Sequence, residues 1–169
     1  LELANHALQS GNTDRARVLL EALSKDAPEL VDVYRLLVEA QRAQGDGASA
    51  LVTLETWERR LGSTAATRRL VRRVLVEENR EEDALADLRA ELVEYPAEAV
   101  WRELLVGSFQ RGDFRRLQRE LTLAEAEFPE LTTIKVMRAH MAILGGTPEA
   151  ARSLFEEARS VSPEHVYLD

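Results

Sequence analysis

Turn residues and apolar residues recur along this chain with a period of about 34 residues. A turn residue stands at Gly11, Gly45, Asn79, Gly112 and Gly146, with spacings of 34, 34, 33 and 34 residues. Five residues after each comes a small or aliphatic residue, in order Ala16, Ala50, Ala84, Leu117 and Ala151. Nine residues after each comes a large apolar residue, in order Leu20, Leu54, Leu88, Leu121 and Phe155. Because one register fits all five segments, the pattern predicts five copies of one structural repeat.

Each repeat is predicted to contain two helices. Before Gly45, the residues Val33, Leu36, Leu37 and Ala40 recur at spacings of three and four, which is the apolar stripe of an amphipathic helix. Seventeen positions after each turn residue comes a helix breaker: Pro28, Gly62, Pro96, Pro129 and Pro163. Proline lacks the backbone N–H and clashes with the preceding turn, so it ends a helix. The predicted repeats are residues 1–28, 29–62, 63–96, 97–129 and 130–163, and residues 164–169 start a further one.

The residues around the breakers also predict where helices begin. Pro28–Glu29 and Pro129–Glu130 are expected in the first turn of the first helices, where proline loses no hydrogen bond and the carboxylate faces the positive helix end. Thr13 and Thr147 are expected to be N-caps of second helices, because a threonine oxygen can accept from a backbone N–H of the first turn.

Composition supports an all-α class. The 169 residues are 45% apolar and 31% charged but only 5% aromatic, which is typical of packed helices in one domain. The chain has no cysteine, which excludes disulfides, thiolate metal sites and cysteine nucleophiles, and leaves the compartment open between cytoplasm and bacterial periplasm. The net charge of −8 opposes binding to nucleic acids. No apolar run approaches the roughly 20 residues that span a bilayer, so direct membrane insertion is not expected.

The repeated pattern resembles the tetratricopeptide repeat (TPR) family. The resemblance rests on the period, on the small residue and the following apolar residue of the second helix, and on the closing proline. Tyr34 with Leu37, and Trp101 with Leu104, also stand where the family has its aromatic residue and its leucine. The resemblance covers essentially the whole chain. It implies a single all-α domain, residues 1–169, formed as a right-handed α-solenoid of about five helix-turn-helix repeats.

The third repeat departs from the family pattern at two positions. Arg72 stands seven residues before the turn residue and Glu91 twelve after it, where the family usually has small residues. These positions face each other in the family, so the resemblance implies an ion pair between Arg72 and Glu91. A charge in a helix interface is tolerable only with a partner.

No catalytic, metal or cofactor site is predicted. His6, His140 and His165 lie in different repeats, and none has the spacing of a metal-binding motif. The acidic stretch at residues 77–83 straddles a predicted turn and is interpreted as solvated. The glycine-containing turns lack the Lys-Ser/Thr ending of a phosphate-binding loop. We therefore expect a protein that is not an enzyme.

The TPR resemblance implies recognition of a protein or peptide in a concave groove lined by first helices. Carrying the family's groove positions onto this chain gives the candidate residues Arg35, Arg42, Arg69, Arg73, Arg102, Phe109, Met137 and His140. Two alternatives stay open. The arginines could be paired with Glu39, Glu77 and Glu103, and the apolar residues of the last repeat, Val136, Met137, Ile143 and Leu144, could be buried.

Two TPR-related modes of binding are disfavoured. A carboxylate clamp would need lysine and asparagine where this chain has Leu1 and Leu36, although Asn5 fits. RNA-reading helical repeats are opposed by the net charge. Two roles then compete: an adaptor for a protein partner, or an architectural segment of a bacterial envelope or secretion protein, for example in exopolysaccharide export. The chain starts and stops within repeats, so we expect a segment of a longer array that could self-associate through uncapped ends.

Overall fold

The computed structural model describes residues 1–161, and all the elements in that range are α-helices. They are α1 (Glu2–Gln9), α2 (Thr13–Asp26), α3 (Val31–Ala43), α4 (Gly47–Leu61), α5 (Ala65–Glu77), α6 (Glu81–Glu94), α7 (Glu98–Gln110), α8 (Phe114–Glu127), α9 (Thr132–Leu144) and α10 (Pro148–Val161). The predicted all-α class of helix-turn-helix repeats is confirmed. Pro163, His165 and the predicted start of a further repeat at 164–169 lie outside the described residues.

The turn within each repeat is closed by a residue with left-handed backbone conformation. Gly45 has φ of 72° and Asn79 has φ of 57°, a region that glycine enters freely and asparagine tolerates. In the second repeat, the N–H of Asp46 donates to the Gln41 carbonyl at 2.9 Å and that of Gly45 to the Arg42 carbonyl at 2.9 Å. These two bonds satisfy carbonyls that the end of α3 would otherwise leave unpaired.

The predicted breakers lie between helices, but two helix-start predictions were wrong. Pro28, Pro96 and Pro129 each separate one repeat from the next, as predicted. However, Pro28–Glu29 precedes α3, which begins only at Val31, because the pair forms a turn in which the Leu30 N–H donates to the Ala27 carbonyl at 3.2 Å. Pro129–Glu130 precedes α9 in the same way.

The second helix of the first repeat is capped by a different residue from the one predicted. The N-cap of α2 is Asn12, whose side-chain oxygen accepts from the Arg15 N–H at 3.1 Å. Thr13 is already helical. Thr147 does precede α10, but its hydroxyl donates to the Ala142 carbonyl at 3.0 Å.

The chain divides into two compact units, Leu1–Ala84 and Leu85–Asp169, here called the N-terminal and the C-terminal unit. The boundary falls inside α6. The prediction of a single domain stays a prediction, and each unit is described by itself.

The N-terminal unit contains two clusters of buried apolar side chains. The first is centred on the interface of α1, α2 and α3, and the second joins α3, α4 and α5. Tyr34 belongs to the second cluster and stacks on Trp57, with ring centroids 6.1 Å apart. The buried Tyr34 hydroxyl donates to the Pro28 carbonyl at 2.9 Å, which ties α3 to the turn before it.

The C-terminal unit has one continuous apolar cluster that extends from α6 to α10. Trp101 occupies the same register in this unit as Tyr34 in the other. Its indole N–H donates to a Glu127 carboxylate oxygen at 2.8 Å, so the polar atom of a largely buried aromatic residue again has a partner.

The small residues of the second helices are buried, as the register predicts. Ala16, Ala50, Ala84 and Ala151 all lie in the interior, and Ala16 and Ala50 are 0% exposed. The large apolar position four residues later is also buried in Leu20, Leu54, Leu88 and Leu121, whereas Phe155 is only half-buried. Four of the five repeats therefore bury a residue with only a methyl side chain at this position, and the fourth buries Leu117.

Polar side chains join the first repeat to the second at the start of α4. The guanidinium of Arg17, on α2, donates to the carboxylate of Asp46 at 2.7 Å, and Asp46 also caps α4 by accepting from the Ser49 N–H at 3.0 Å. Hydrogen bonds from Ser49, followed by the one from Arg17, lower the pKa of Asp46 from 3.8 to about 2. Asp46 thus serves as a helix cap and as a contact between repeats.

Replacing Ala50 by leucine is expected to destabilise the N-terminal unit by about 1–3 kcal/mol, because the larger side chain overpacks a fully closed site. Ala48→Leu is the matched control, since Ala48 lies on the same helix but is exposed. Urea unfolding followed by circular dichroism would measure both variants. Equal stability of the two would contradict the assigned packing.

Asp46→Asn is expected to reduce the acid sensitivity of the fold. Because the pKa of Asp46 is depressed in the folded state, its charge stabilises the fold above the unfolded pKa, and that contribution disappears as the pH falls towards about 2. Asparagine keeps the cap but does not titrate. Free energies of unfolding measured between about pH 5 and pH 2 should therefore converge for the parent and the variant.

Asp113→Asn, at the N-cap of α8, controls for the loss of a cap carboxylate. If the difference in free energy of unfolding between the parent and Asp46→Asn stayed constant over this pH range, the assignment would be contradicted.

Candidate partner-binding surfaces

The eight candidate residues all lie on first helices, and the two units hold four each. Arg35 and Arg42 are on α3 and Arg69 and Arg73 on α5, in the N-terminal unit; Arg102 and Phe109 are on α7 and Met137 and His140 on α9, in the C-terminal unit. The sequence predicted them as one groove. We describe them as two surfaces, because each unit is a separate compact body.

The two arginines of α3 are occupied by carboxylates of the chain itself. Arg35 donates to Asp32, one turn earlier on α3, at 3.2 Å. Arg42 reaches across to α5 and binds Glu77 with two nitrogens, and the Nε–Oε2 distance is 2.8 Å. The alternative that groove arginines pair with neighbouring acids is therefore correct for Arg42 and Glu77.

The contact between Arg42 and Glu77 shifts the pKa of both side chains. The hydrogen bonds from Arg42 lower the pKa of Glu77, and the charge of Arg73 lowers it further. The same hydrogen bonds raise the pKa of Arg42. Since the two side chains are 24% and 43% exposed, solvent screens much of this attraction, and the pair belongs with partly exposed ion pairs of modest strength.

The two arginines of α5, unlike those of α3, donate to no carboxylate of the described chain. Arg69 and Arg73 are exposed, and within residues 1–161 neither donates a hydrogen bond or forms an ion pair. They are four residues apart on one helix, so their side chains lie next to each other. Val76, three residues after Arg73, is 50% exposed on the same side of α5. We call Arg69, Arg73 and Val76 the α5 face.

The sequence of α5 explains this arrangement. The stretch at residues 67–73, Thr-Arg-Arg-Leu-Val-Arg-Arg, places arginines in two pairs with a helical spacing of four. Arg72 of one pair is buried, at 4% exposed, while Arg69 and Arg73 of the other point outwards. Arg69 and Arg73 are therefore both exposed, whereas the other pair has one buried arginine, Arg72, and one half-buried arginine, Arg68.

The C-terminal unit presents aromatic residues instead. Phe109 and His140 are half-buried, and their rings lie 5.3 Å apart. His140 also meets Phe155 of α10 at 5.4 Å, and its Nδ1 lies 2.9 Å from the Val136 carbonyl oxygen. Arg102 is exposed and forms no hydrogen bond or ion pair with a described residue. We call Arg102, Phe109 and His140 the C-terminal face.

Met137 does not belong to an accessible surface. It is 4% exposed and packs in the apolar cluster of the C-terminal unit together with Val136. The alternative that apolar residues of the last repeat are buried is therefore correct for these two. Ile143 and Leu144 are exposed, and Ile143 and Phe155 help to line a cleft of about 330 Å³ on the α9–α10 pair.

The third repeat's unusual charges are both buried. Arg72 is 4% exposed and Glu91 7%, and each has at least one polar or electrostatic interaction. They belong to different units, so the ion pair between them stays a prediction.

Sequence reasoning missed two contacts at these surfaces. The pairing of Arg35 with Asp32 could have been anticipated, because residues three apart on a helix are neighbours. The contact of His140 with Phe155 could not, since the register placed Phe155 with the buried leucines of the second helices.

The described part of the chain has neither a metal-ion site nor a membrane-spanning helix. Within residues 1–161, no three histidine, aspartate or glutamate side chains come together as a metal-ion site. None of the described helices is both long and apolar enough to cross a bilayer.

One known family matches part of the chain. Residues 7–73 match a family model described as tetratricopeptide repeat. A search of curated proteins finds no match.

Solved structures of TPR proteins share the fold over nearly the whole chain. YrrB, a TPR protein with an unusual peptide-binding site, has a TM-score of 0.60 at 12% identity, covering 99% of this chain and 87% of YrrB. MamA from Desulfovibrio magneticus RS-1 gives 0.62 at 13% identity, covering 98% and 94%. A tetratricopeptide repeat protein from Parabacteroides merdae gives 0.66 at 18% identity, covering 99% and 67%. The predicted resemblance to TPR proteins is confirmed, and at these identities the likeness concerns the fold.

A double-mutant cycle on Arg42 and Glu77 should give a coupling energy of roughly 0.2–1 kcal/mol that decreases with salt, because the pair is partly exposed. Arg42→Gln, Glu77→Gln and the double variant would be compared by urea unfolding. The Arg35–Asp32 pair, whose side chains are 51% and 63% exposed, is the control and should couple more weakly. If Arg42 and Glu77 do not couple, Arg42 must be counted with the unpaired arginines.

Proposed function

We propose that the chain, which has the fold of tetratricopeptide repeat proteins and matches their family model at residues 7–73, is a non-enzymatic scaffold that binds a protein or peptide partner on the exposed faces of its first helices. The α5 face and the C-terminal face are the proposed contact surfaces. The first supplies charge that orients a partner, and the second supplies aromatic contact area.

The observation that carries this proposal is the presence of exposed arginines on first helices that donate to no described residue. Arg69, Arg73 and Arg102 are exposed without a bond to any described residue, although the chain is acidic overall with a net charge of −8. Elsewhere on these helices, Arg35 and Arg42 are neutralised by Asp32 and Glu77. Recognition of a peptide is also compatible with the fold, since the similar YrrB has a peptide-binding site.

The competing role is architectural. An envelope or secretion segment, for example in exopolysaccharide export, would need its surfaces for contacts with neighbouring repeats or domains. No separate observation favours that role, and it is the account to adopt if the faces named above bind nothing.

The proposal predicts that peptides selected on this protein lose affinity when first-helix faces change. Peptides selected from a random 12-residue display library would be labelled and measured by fluorescence polarisation. Arg69→Glu with Arg73→Glu should weaken charged binders and lower their salt dependence, because charge attraction is replaced by repulsion. Phe109→Ala should weaken binders through lost contact area.

The control uses arginines on a second helix. Arg115 and Arg119 are also exposed, four residues apart and without a bond to a described residue, but they lie on α8. Reversing both to glutamate makes the same change in net charge and should leave binding within about twofold if the contact is local. Circular dichroism would verify that every variant keeps its helices. Binding that depends on α8 alone, or no selectable binder at all, would overturn the proposed function.

A further inference from the structure

We infer that the α5 face selects a peptide segment that carries two carboxylates one helical turn apart, followed by an aliphatic residue. This inference rests on the proposed function and names the chemistry of the partner. It concerns Arg69, Arg73 and Val76 of the N-terminal unit only.

The first step concerns which cations are available. Of the four arginines predicted for this unit, Arg35 and Arg42 already donate to carboxylates of the chain. An incoming acid would have to displace Asp32 or Glu77 from them. Arg69 and Arg73 need no such exchange, because neither donates a hydrogen bond to a described residue, and Arg73 acts on Glu77 only through its charge. A partner's carboxylates therefore go to α5 rather than to α3.

The second step concerns spacing. Residues four apart on a helix have Cβ atoms about 5–6 Å apart, so the guanidinium groups of Arg69 and Arg73 can each hold one carboxylate of a ligand. Two acids at positions i and i+4 of a helical peptide have the same separation. The guanidinium fork also suits a carboxylate, which accepts two parallel hydrogen bonds.

The third step concerns the apolar neighbour. Val76 is half exposed and lies one turn beyond Arg73 on the same side of α5. A ligand whose acids meet the arginines would place its next inward residue against Val76. An aliphatic side chain there removes apolar surface from water on both partners.

The fourth step concerns why the favoured ligand is an acidic peptide and not a nucleic acid. Glu77 follows Val76 directly in the sequence, is partly exposed and keeps a lowered pKa, so it is charged at neutral pH. Glu39 is exposed on α3 and acts electrostatically on Arg42. A phosphate backbone carries a charge at every nucleotide and would meet these carboxylates as well as the net charge of −8. A peptide can limit its charges to two positions.

The test uses a defined probe, a fluorescein-labelled helical peptide with glutamate at two positions four apart and leucine three residues later. Its first control replaces both glutamates by glutamine, and its second moves one glutamate two residues along, to the opposite side of the helix. We expect the intact probe to bind about tenfold more tightly than either control, because each control loses at least one charged contact.

Protein variants locate the contact on α5. Arg69→Gln with Arg73→Gln should reduce affinity for the probe about tenfold, whereas the pair Arg115→Gln with Arg119→Gln should change it by less than about twofold. Arg69→Lys with Arg73→Lys should lose part of the affinity, since lysine keeps the charge but not the guanidinium fork.

Three outcomes would overturn the inference. One is equal binding of the glutamine peptide; another is a greater loss in the pair Arg115→Gln with Arg119→Gln than in the α5 variant. The third is a single-stranded RNA oligonucleotide that binds through Arg69 and Arg73 more tightly than the probe. If library peptides without acids bind and depend on first-helix residues, the inference is wrong while the proposed scaffold function stands. If no peptide depends on a first helix, the proposed function itself fails.

Discussion

The close approach of the two helices in each repeat is the constraint on which the rest of the structure depends. Four of the five repeats bury an alanine at the contact, as at Ala16 and Ala50, while the fourth buries Leu117. A left-handed turn residue such as Gly45 reverses the chain. Together these fix the rotation of the first helix about its axis. That rotation determines which side chains are buried and which, like Arg69 and Arg73, stay exposed.

Most of the fold could be predicted because its determinants are local. Turn residues and prolines act through their own backbone geometry, so their positions gave the helix pairs directly. Helix starts were less predictable, since neighbouring residues compete for the same role. Asn12 and Thr13 can both cap α2, and the structure uses Asn12. Pro28–Glu29 can start a helix or form a turn, and here a bond from the Leu30 N–H to the Ala27 carbonyl forms the turn.

The sequence predicted which helices carry the candidate residues, but not whether each residue is exposed, buried or bonded to a neighbour. The register placed all eight residues on first helices. Whether an arginine donates to a carboxylate depends on what the next helix presents. Arg42 donates to Glu77 on α5, whereas Arg69 and Arg73 donate to no described residue, and Arg73 acts on Glu77 only through its charge. Burial could not be predicted from the repeat pattern either, because Met137 is covered by residues from other helices that are distant in the sequence. These outcomes require three-dimensional neighbours, which a repeat pattern does not specify.

The net negative charge of the chain and the exposed arginines Arg69 and Arg73 act on an acidic ligand at different distances. A net charge of −8 acts at long range, but salt at physiological strength screens exposed charges beyond about 8 Å. An acidic ligand is therefore repelled only weakly before contact, and at contact it meets Arg69 and Arg73 rather than the average charge. A ligand with negative charge along its whole length continues to face Glu77 and the rest of the acidic surface. The same charge distribution thus favours ligands whose negative charge is confined to one helical turn.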